Sequence, residues 1–352
     1  MKNIKAIVVT GGPCGGKTSL IPALEEKLKS KGWHLLVVPE TATEIVGSGI
    51  SRDLLSPIEF QNLIVSKQIA KERFYRDAAN HLSCDNILIL CDRGILDGAA
   101  FLGQSEFSKV METNNLTRLD IFSRYDAVIH LTTAAKGARE YYNFENQARI
   151  ETAEESIAVD DSLLKVWSGH PTLIVIKNYP CFSDKINETI DQILSFLNLS
   201  CCNLHKTKTI EVDVDETFLD RIPFVIVKRF FLSGQNYTPD VKNTIRMIES
   251  HTDPSSIPYA ISYFFIEITE FHDKPPIKTM KKINQKEYLS FLKLSQAQEA
   301  PIKRYNFVCD NHYFQLDKLV EKAGCKYLLT MENDEKVSLP QQITLKDGNY
   351  GK

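Results

Sequence analysis

The sequence has no CxxC pair, no internal repeat, no low-complexity segment and no apolar run of the ~18 residues that a membrane-spanning helix needs. Its eight cysteines, at positions 14, 84, 91, 181, 201, 202, 309 and 325, follow no regular framework in a chain too large to need one, and we read them as reduced thiols. The apolar run near the N-terminus is short and ends in glycines and Lys17, which fits neither a signal peptide nor a span. Charge of one sign is also missing. Lys+Arg 42 against Asp+Glu 45 leaves −3, so no global field favours nucleic acid, although a local patch can hide inside a balanced total. With 43% hydrophobic and 25% charged residues, disorder, collagen-like repeats and coiled coil are excluded as the dominant state. At roughly 150 residues per domain, 352 residues make about two domains. The expectation is a cytoplasmic protein without a transmembrane segment.

What is present divides near residue 200. Before it, short apolar runs at Ile4–Thr10, His34–Pro39, Asn86–Cys91, Ala127–Thr132 and Thr172–Lys177 alternate with stretches at helical spacing, Thr18–Lys31, Pro57–Ala79 and Asp184–Leu197. Continuous Val/Ile/Leu strands separated by helices imply a parallel sheet covered on both faces, hence an α/β P-loop domain over residues 1–200. After it, period-2 runs appear at Thr209–Asp215, Val225–Leu232, Tyr263–Thr269, Tyr305–Cys309, Tyr313–Leu319 and Tyr327–Met331, with one helix-like stretch at Gln285–Gln298. These predict a mainly antiparallel sheet or barrel over 206–352.

Residues Gly11, Gly12, Pro13, Cys14, Gly15, Gly16, Lys17 and Thr18 match G-x-x-x-x-G-K-[ST], directly after a strand and before a helix. The glycines let successive N–H groups turn toward phosphate oxygens, and the helix N-terminus adds its dipole. Lys17 would reach the β and γ phosphates, Thr18 would ligate Mg²⁺, and Ser19 completes the cradle. The ligand is therefore a nucleoside triphosphate, GTP or ATP, with Mg²⁺. The motif fixes phosphates and leaves the reaction open.

Further candidates lie at strand ends, where ligands sit in open α/β folds. Glu40 follows the second strand, and Asp92-Arg93-Gly94 with Asp97 follows the third. Asp92 is placed to hold Mg²⁺ and Arg93 to meet an anionic or polar group, though an acid there can also simply cap the next helix. After the fourth strand, Arg139 and Arg149 flank a Tyr/Asn-rich turn, as expected of a lid carrying cations over a triphosphate. Pairing of these arginines with Glu145, Glu151 and Glu154 is the plainer alternative. Between Lys274 and Arg304 eight basic residues face two acidic ones, Glu287 and Glu299, which reads either as a solvated face or as an anion-binding surface.

Together, Gly11–Thr18, Pro39–Glu44, Glu59-Phe-Gln61 with Gln68, Asp92–Asp97, Ala138–Arg149 and Trp167–Pro171 resemble the AAA-type P-loop domain of nicotinamide-riboside-kinase-like proteins and of the TRPL translocation defect protein 14-like family. In kinase-like relatives the acid after strand two and the acid–Arg pair after strand three act on base and substrate, and Glu40, Asp92 and Arg93 match those positions. The second half is similar to the CYTH-like triphosphate-tunnel domain of the same family. That resemblance implies a second anionic ligand near Glu211, Asp213, Lys228, Arg229, Lys281, Lys282, Lys303 and Arg304, with a phospholipid such as phosphatidic acid suggested by the family. The CYTH opening Glu-x-Glu-x-Lys reads Glu211-Val-Asp213-Val-Asp215 here, and an aspartate in place of the lysine weighs against triphosphate hydrolysis.

The leading expectation is thus an NTP-binding protein with slow Mg²⁺-dependent NTPase or switch activity, coupled to a barrel that binds a phosphorylated ligand or phospholipid peripherally at membranes. The alternative is a small-molecule, nucleoside-like kinase using Lys17, Glu40, Asp92, Arg93 and Arg149. A triphosphate hydrolase ranks third, and no nucleic-acid partner is expected.

Overall fold

Strands that are apolar on both faces need cover on both faces, and the N-terminal runs find it in a five-stranded parallel sheet. Our computed structural model describes residues 2–136, 152–170, 172–199, 207–220, 222, 224–232, 241–251, 260–269, 277–309, 312–321, 324–332 and 339–346. The Arg139–Arg149 segment lies outside the described residues. The chain divides into two compact units, Met1–Ser200 and Cys201–Lys352.

In the first unit the elements are β1 (Asn3–Thr10), α1 (Lys17–Ser30), β2 (His34–Val38), α2 (Thr41–Gly47), α3 (Pro57–His81), β3 (Asn86–Asp92), α4 (Asp97–Leu102), α5 (Gln104–Thr113), α6 (Arg118–Ser123), β4 (Ala127–Leu131), α7 (Ala153–Trp167), β5 (Leu173–Ile176) and α8 (Phe182–Phe196). The strand order β2-β3-β1-β4-β5 puts β1 between β3 and β4, so the loop after β1 opens at the middle of the sheet's C-terminal edge. On one face Leu20, Leu24 and Leu28 of α1 and Ile186, Ile190 and Ile193 of α8 bury Ile7, Val9, Leu90 and Ile129. On the other, Val8 approaches the position a Gly94 side chain would take, against Trp167, which is fully buried.

Local chemistry sets the helix starts. Ser56 and Glu59 form a reciprocal capping box at α3, with Pro57 at its first position, and Thr152 with Glu155 does the same for α7. Glu59 of the resemblance motif is therefore a helix cap.

The second unit contains β6 (Thr207–Val214), α9 (Glu216–Leu219), β7 (Phe224–Leu232), β8 (Val241–His251), β9 (Ala260–Thr269), β10 (Ile277–Ile283), α10 (Gln285–Leu292), β11 (Ser295–Gln298), β12 (Ile302–Cys309), β13 (His312–Glu321), β14 (Gly324–Glu332) and β15 (Ile343–Leu345). All its pairings are antiparallel, in the order β10-β9-β8-β7-β12-β13-β14-β6-β15, with β11 also on β7. Among the described residues β10 and β15 end this path without pairing to each other, so the sheet closes no barrel there. The helix expected over Gln285–Gln298 stops at Leu292, and Ser295–Gln298 pairs with β7 instead. Asn284 and Glu287 form a capping box at α10, which accounts for one of the two acids in the basic stretch. Asp215, where the CYTH motif carries lysine, caps α9 by accepting from the Thr217 amide at 3.0 Å.

Candidate active site at the sheet edge

The loop between β1 and α1 turns sharply. Gly11 has φ 135°, and a Cβ there would lie 2.1 Å from the Leu131 carbonyl oxygen, so only glycine fits between loop and β4. Cys14 takes a left-handed φ of 56°, in keeping with a loop that curls its amides inward. The loop is tied down from β4 and α7. Thr133 Oγ1 donates to Pro13 O at 2.5 Å, and Asp160 Oδ1 accepts from the amides of Gly12 at 2.8 Å and Thr133 at 3.1 Å. Asp160 is fully buried beside Lys136 at 2.9 Å and His130 Nε2 at 3.2 Å. Burial alone would raise its carboxyl, but His130 and then Lys136 outweigh burial and hold it well below the usual carboxylate range.

Lys17 is half-buried, and its ammonium donates to Gly11 O at 2.9 Å and Gly12 O at 3.2 Å. Burial, then the nearby Arg93, lowers it to about 8, against the opposing pull of Asp92, Glu40 and Asp97. Thr18 and Ser19 stand at the helix start, both exposed. Asp92, at the end of β3, is raised chiefly by burial, and its Oδ1 is buried with no hydrogen-bond partner among the described residues.

Arg93 follows in a left-handed conformation, φ 70°, which costs a non-glycine residue about 1–2 kcal/mol. Its surroundings fix it there. Its amide donates to Val9 O at 3.1 Å, Gln68 Nε2 donates to its carbonyl at 3.4 Å, and its Nε donates to Glu40 Oε1 at 2.6 Å. Nη1 reaches Asp97 Oδ2 at 3.4 Å. Asp97, 3% exposed, also accepts from Thr10 Oγ1 at 2.8 Å and from Trp167 Nε1 at 2.6 Å. Next in the chain Gly94 leaves no room for a Cβ, which would sit 2.6 Å from Trp167. The sequence elements Asp-Arg-Gly and Trp-x-Gly-His thus meet in one cluster, and His170 serves as a turn contact, bonding Tyr125 O and the Thr172 amide at 3.2 Å each.

Glu40 is not a helix cap. Its carboxylate makes no cap bond to α2, accepting instead from Arg93 and from Thr43 Oγ1 at 2.7 Å. Burial favours its neutral form, yet Arg93 and Thr43 prevail and keep its carboxyl below the ordinary glutamate value.

Beneath this cluster lies an unforeseen network. Glu72, buried on α3, accepts from Gln68 Nε2 at 2.9 Å, Tyr125 OH at 2.7 Å and Arg124 Nε at 2.7 Å, and Gln68 Oε1 also accepts from Thr41. The Ile95 amide donates to Tyr125 OH at 3.1 Å. The Asp92–Asp97 turn is therefore held from below by α3 and by the residues that lead into β4.

Above it opens a cavity of about 370 Å³. Glu40, Arg52, Gln61, Arg93 and Asp97 supply its charged and polar lining, and Phe60, Ile64 and Phe101 the apolar wall. Pro13 of the phosphate loop also borders it.

In the second unit the sequence candidates separate by strand register. Arg304 lies opposite Val225 and Asp317, and Arg229 opposite Arg246, on one face of the sheet; Lys303, opposite Ile226 and Lys318, lies with Lys228 on the other. Most carry partners: Glu211 pairs with Lys326 and Lys346, Lys228 with Glu249, Arg229 with Glu299, and Arg304 bidentately with Asp317. Lys303 sits 3.9 Å over the Phe224 ring, and Asp213 lies opposite Thr344 of β15. The Lys281 and Lys282 side chains lie outside the described residues. Arg246, absent from the sequence candidates, is lowered to about 10 by burial, then by Arg229 and Arg304. The Nε atoms of Arg229 and Arg246 are buried without hydrogen-bond partners among the described residues.

Fold and loop together define a P-loop, kinase-like α/β domain, a nucleotide-binding class, joined in the chain to a separate antiparallel-sheet unit. Residues 6–180 match the model of a family described as an AAA domain. Two thymidylate kinases are similar in structure. The Candida albicans protein is 15% identical over 56% of this chain and 93% of its own, with TM-score 0.41. The Ehrlichia chaffeensis protein is 18% identical over 55% and 99%, with TM-score 0.37. No curated protein sequence matches the chain. Among the described residues no helix is long and apolar enough to cross a membrane.

Proposed function

We propose that the first unit is a phosphotransferase that moves the γ-phosphoryl group of ATP or GTP to a hydroxyl of a small molecule held in the cavity. The observation carrying this reading is the cavity itself, bordered by both the phosphate loop and the Glu40–Arg93–Asp97 cluster. A switch that only hydrolyses its nucleotide has no use for an acceptor chamber.

The residues fit Mg²⁺ and a nucleotide. The orphaned Asp92 Oδ1 and the Thr18 hydroxyl are hard oxygen donors, and the loop amides with Lys17 suit phosphates. When bound, Mg²⁺ would neutralise charge on the β and γ phosphates. Glu40, kept ionised by Arg93, accepts the acceptor's hydroxyl proton as its oxygen attacks phosphorus. The bond to the β–γ bridging oxygen breaks, leaving its electron pair on the nucleoside diphosphate. Arg93, anchored by two carboxylates, orients the acceptor and meets the developing charge.

Screening hydroxyl-bearing metabolites for stimulated ADP or GDP release tests the reading. Glu40→Gln is expected to lower kcat at least ~100-fold with little change in nucleotide affinity, a magnitude usual for loss of a general base. A screen in which no acceptor raises release above the basal rate overturns it.

A second reading concerns the other unit, where the uncommitted Nε atoms of Arg246 and Arg229 favour an anionic ligand on their face of the sheet. The resemblance to the TRPL translocation defect protein 14-like family adds a phospholipid as one source of that anion. Calorimetry with inorganic tripolyphosphate and flotation with phosphatidic-acid vesicles distinguish the sources. With the phosphate loop saturated by Mg²⁺–ATP, Arg246→Gln is expected to weaken the successful probe by about tenfold or more, the range for one charge-assisted bond. Binding of neither probe removes this reading.

A further inference from the structure

We propose that the small molecule taken by the cavity carries an anionic group, carboxylate or phosphate, which Arg52 binds away from the reacting hydroxyl. This rests on the phosphotransfer reading above and adds a substrate class to it.

Four charged residues line the cavity. Arg93 is committed to two carboxylates, Glu40 at 2.6 Å and Asp97 at 3.4 Å. Counted alone, that cluster is one negative charge in excess, so a second anion brought by the acceptor is repelled there while a hydroxyl is welcomed. Arg52 stands apart. It projects from the 3₁₀ turn Arg52–Leu54, with its guanidinium carbon 5.6 Å from the Phe60 ring centroid. Among the described residues neither an acid nor a hydrogen-bond acceptor engages it. Arg52 is exposed, and its contact with the buried Phe60 leaves the N–H donors of its guanidinium available to an oxyanion.

The other polar lining groups do not compete for that task. The Gln68 amide is spent on Thr41, Glu72 and the Arg93 carbonyl. Gln61 is a neutral amide without a partner among the described residues, suited to a carbonyl or amino edge. Phe60, beside Arg52, and Phe101, beside Arg93, join Ile64 in an apolar lining that accepts an apolar or flat body. The cavity therefore combines a proton-accepting carboxylate, an apolar wall and a guanidinium without an acid partner among the described residues. Its complement is a hydroxyl, a ring or chain, and an anion.

Matched acid and neutral probes test this on the full-length protein with Mg²⁺ and ATP. Suitable pairs are 4-(hydroxymethyl)benzoate with its benzamide, orotidine with uridine, and uridine 3′-phosphate with uridine, read by calorimetry and by ADP release. The acid of at least one pair is expected to bind tenfold or more tightly than its neutral partner. Arg52→Gln should erase that preference while nucleotide affinity holds. The pair showing the preference separates carboxylate from phosphate. Equal binding within every pair, no binding, or a preference that survives Arg52→Gln overturns the proposal. Neutral acceptors phosphorylated as well as acids bring down the anion subsite alone. Acids held by Arg52 in a protein that phosphorylates no acceptor bring down the phosphotransfer reading alone.

Discussion

Lys17→Ala is expected to weaken Mg²⁺–ATP binding at least ~100-fold and to abolish turnover, because it removes the motif's phosphate-binding cation. The same lysine predicts an unusual pH profile. Burial and Arg93 lower it to about 8 in the folded protein, from 10.5. The triphosphate binds the charged form, so affinity should be flat below pH 8 and fall about tenfold per pH unit above it. Folding stability should respond with the opposite sign. Between about pH 8 and 10.5 the unfolded chain holds the Lys17 proton more tightly than the folded one, so this group favours the fold increasingly as pH rises through that window. Calorimetric titrations from pH 7 to 9.5 on wild type and Lys17→Ala check the affinity profile, and thermal melts over the same range check the stability. A wild-type profile without a break near 8, or a variant that retains the same slope, would show that another group, and not Lys17, sets the affinity for the triphosphate.

Asp160→Ala should be the most destabilising single change near the site. The carboxylate is fully buried, accepts the Gly12 and Thr133 amides, balances Lys136 and lies 3.2 Å from His130 Nε2. Breaking a buried pair by deleting one partner costs about 3–5 kcal/mol. For a unit of about this size that corresponds to a fall in Tm of roughly 10 °C or more. Asp160→Asn keeps one oxygen for an amide but turns an N–H toward Lys136, so an intermediate loss is expected. Differential scanning calorimetry of the three proteins orders them. Because Gly12 belongs to the phosphate loop, affinity for Mg²⁺–ATP should drop in the same order. An Asp160→Ala protein as stable as wild type would show that the two amides find other acceptors.

The parallel sheet was legible because its strands are continuous apolar runs, and the phosphate loop because its glycines and lysine stand at fixed spacing. Glu40 and Arg93 could be placed at strand ends from the sequence, but their ion pair could not, since it joins residues 53 apart in the chain. No motif in the sequence singles out Asp160, and only packing of α7 against the loop shows its role. β8 escapes a period-2 search because Asn243, Thr244 and Arg246 are polar yet buried or half-buried, which blurs the alternation. Ser295–Gln298 lacks apolar residues altogether apart from Ala297 and becomes a strand only because β7 offers it an edge.

The 25-residue helix α3 has a consequence for how such a protein can diversify. Its first turns supply Phe60, Gln61 and Ile64 to the cavity wall, while Gln68 and Glu72, further along the same rod, brace the Arg93 turn. The donor side is built elsewhere, from β1, α1 and the end of β4. Exchanging one or two residues near the start of α3 would thus retune which acceptor is chosen without disturbing phosphate binding or the brace. Selection for new substrates in a lineage of this fold should concentrate there, leaving the chemistry inherited intact.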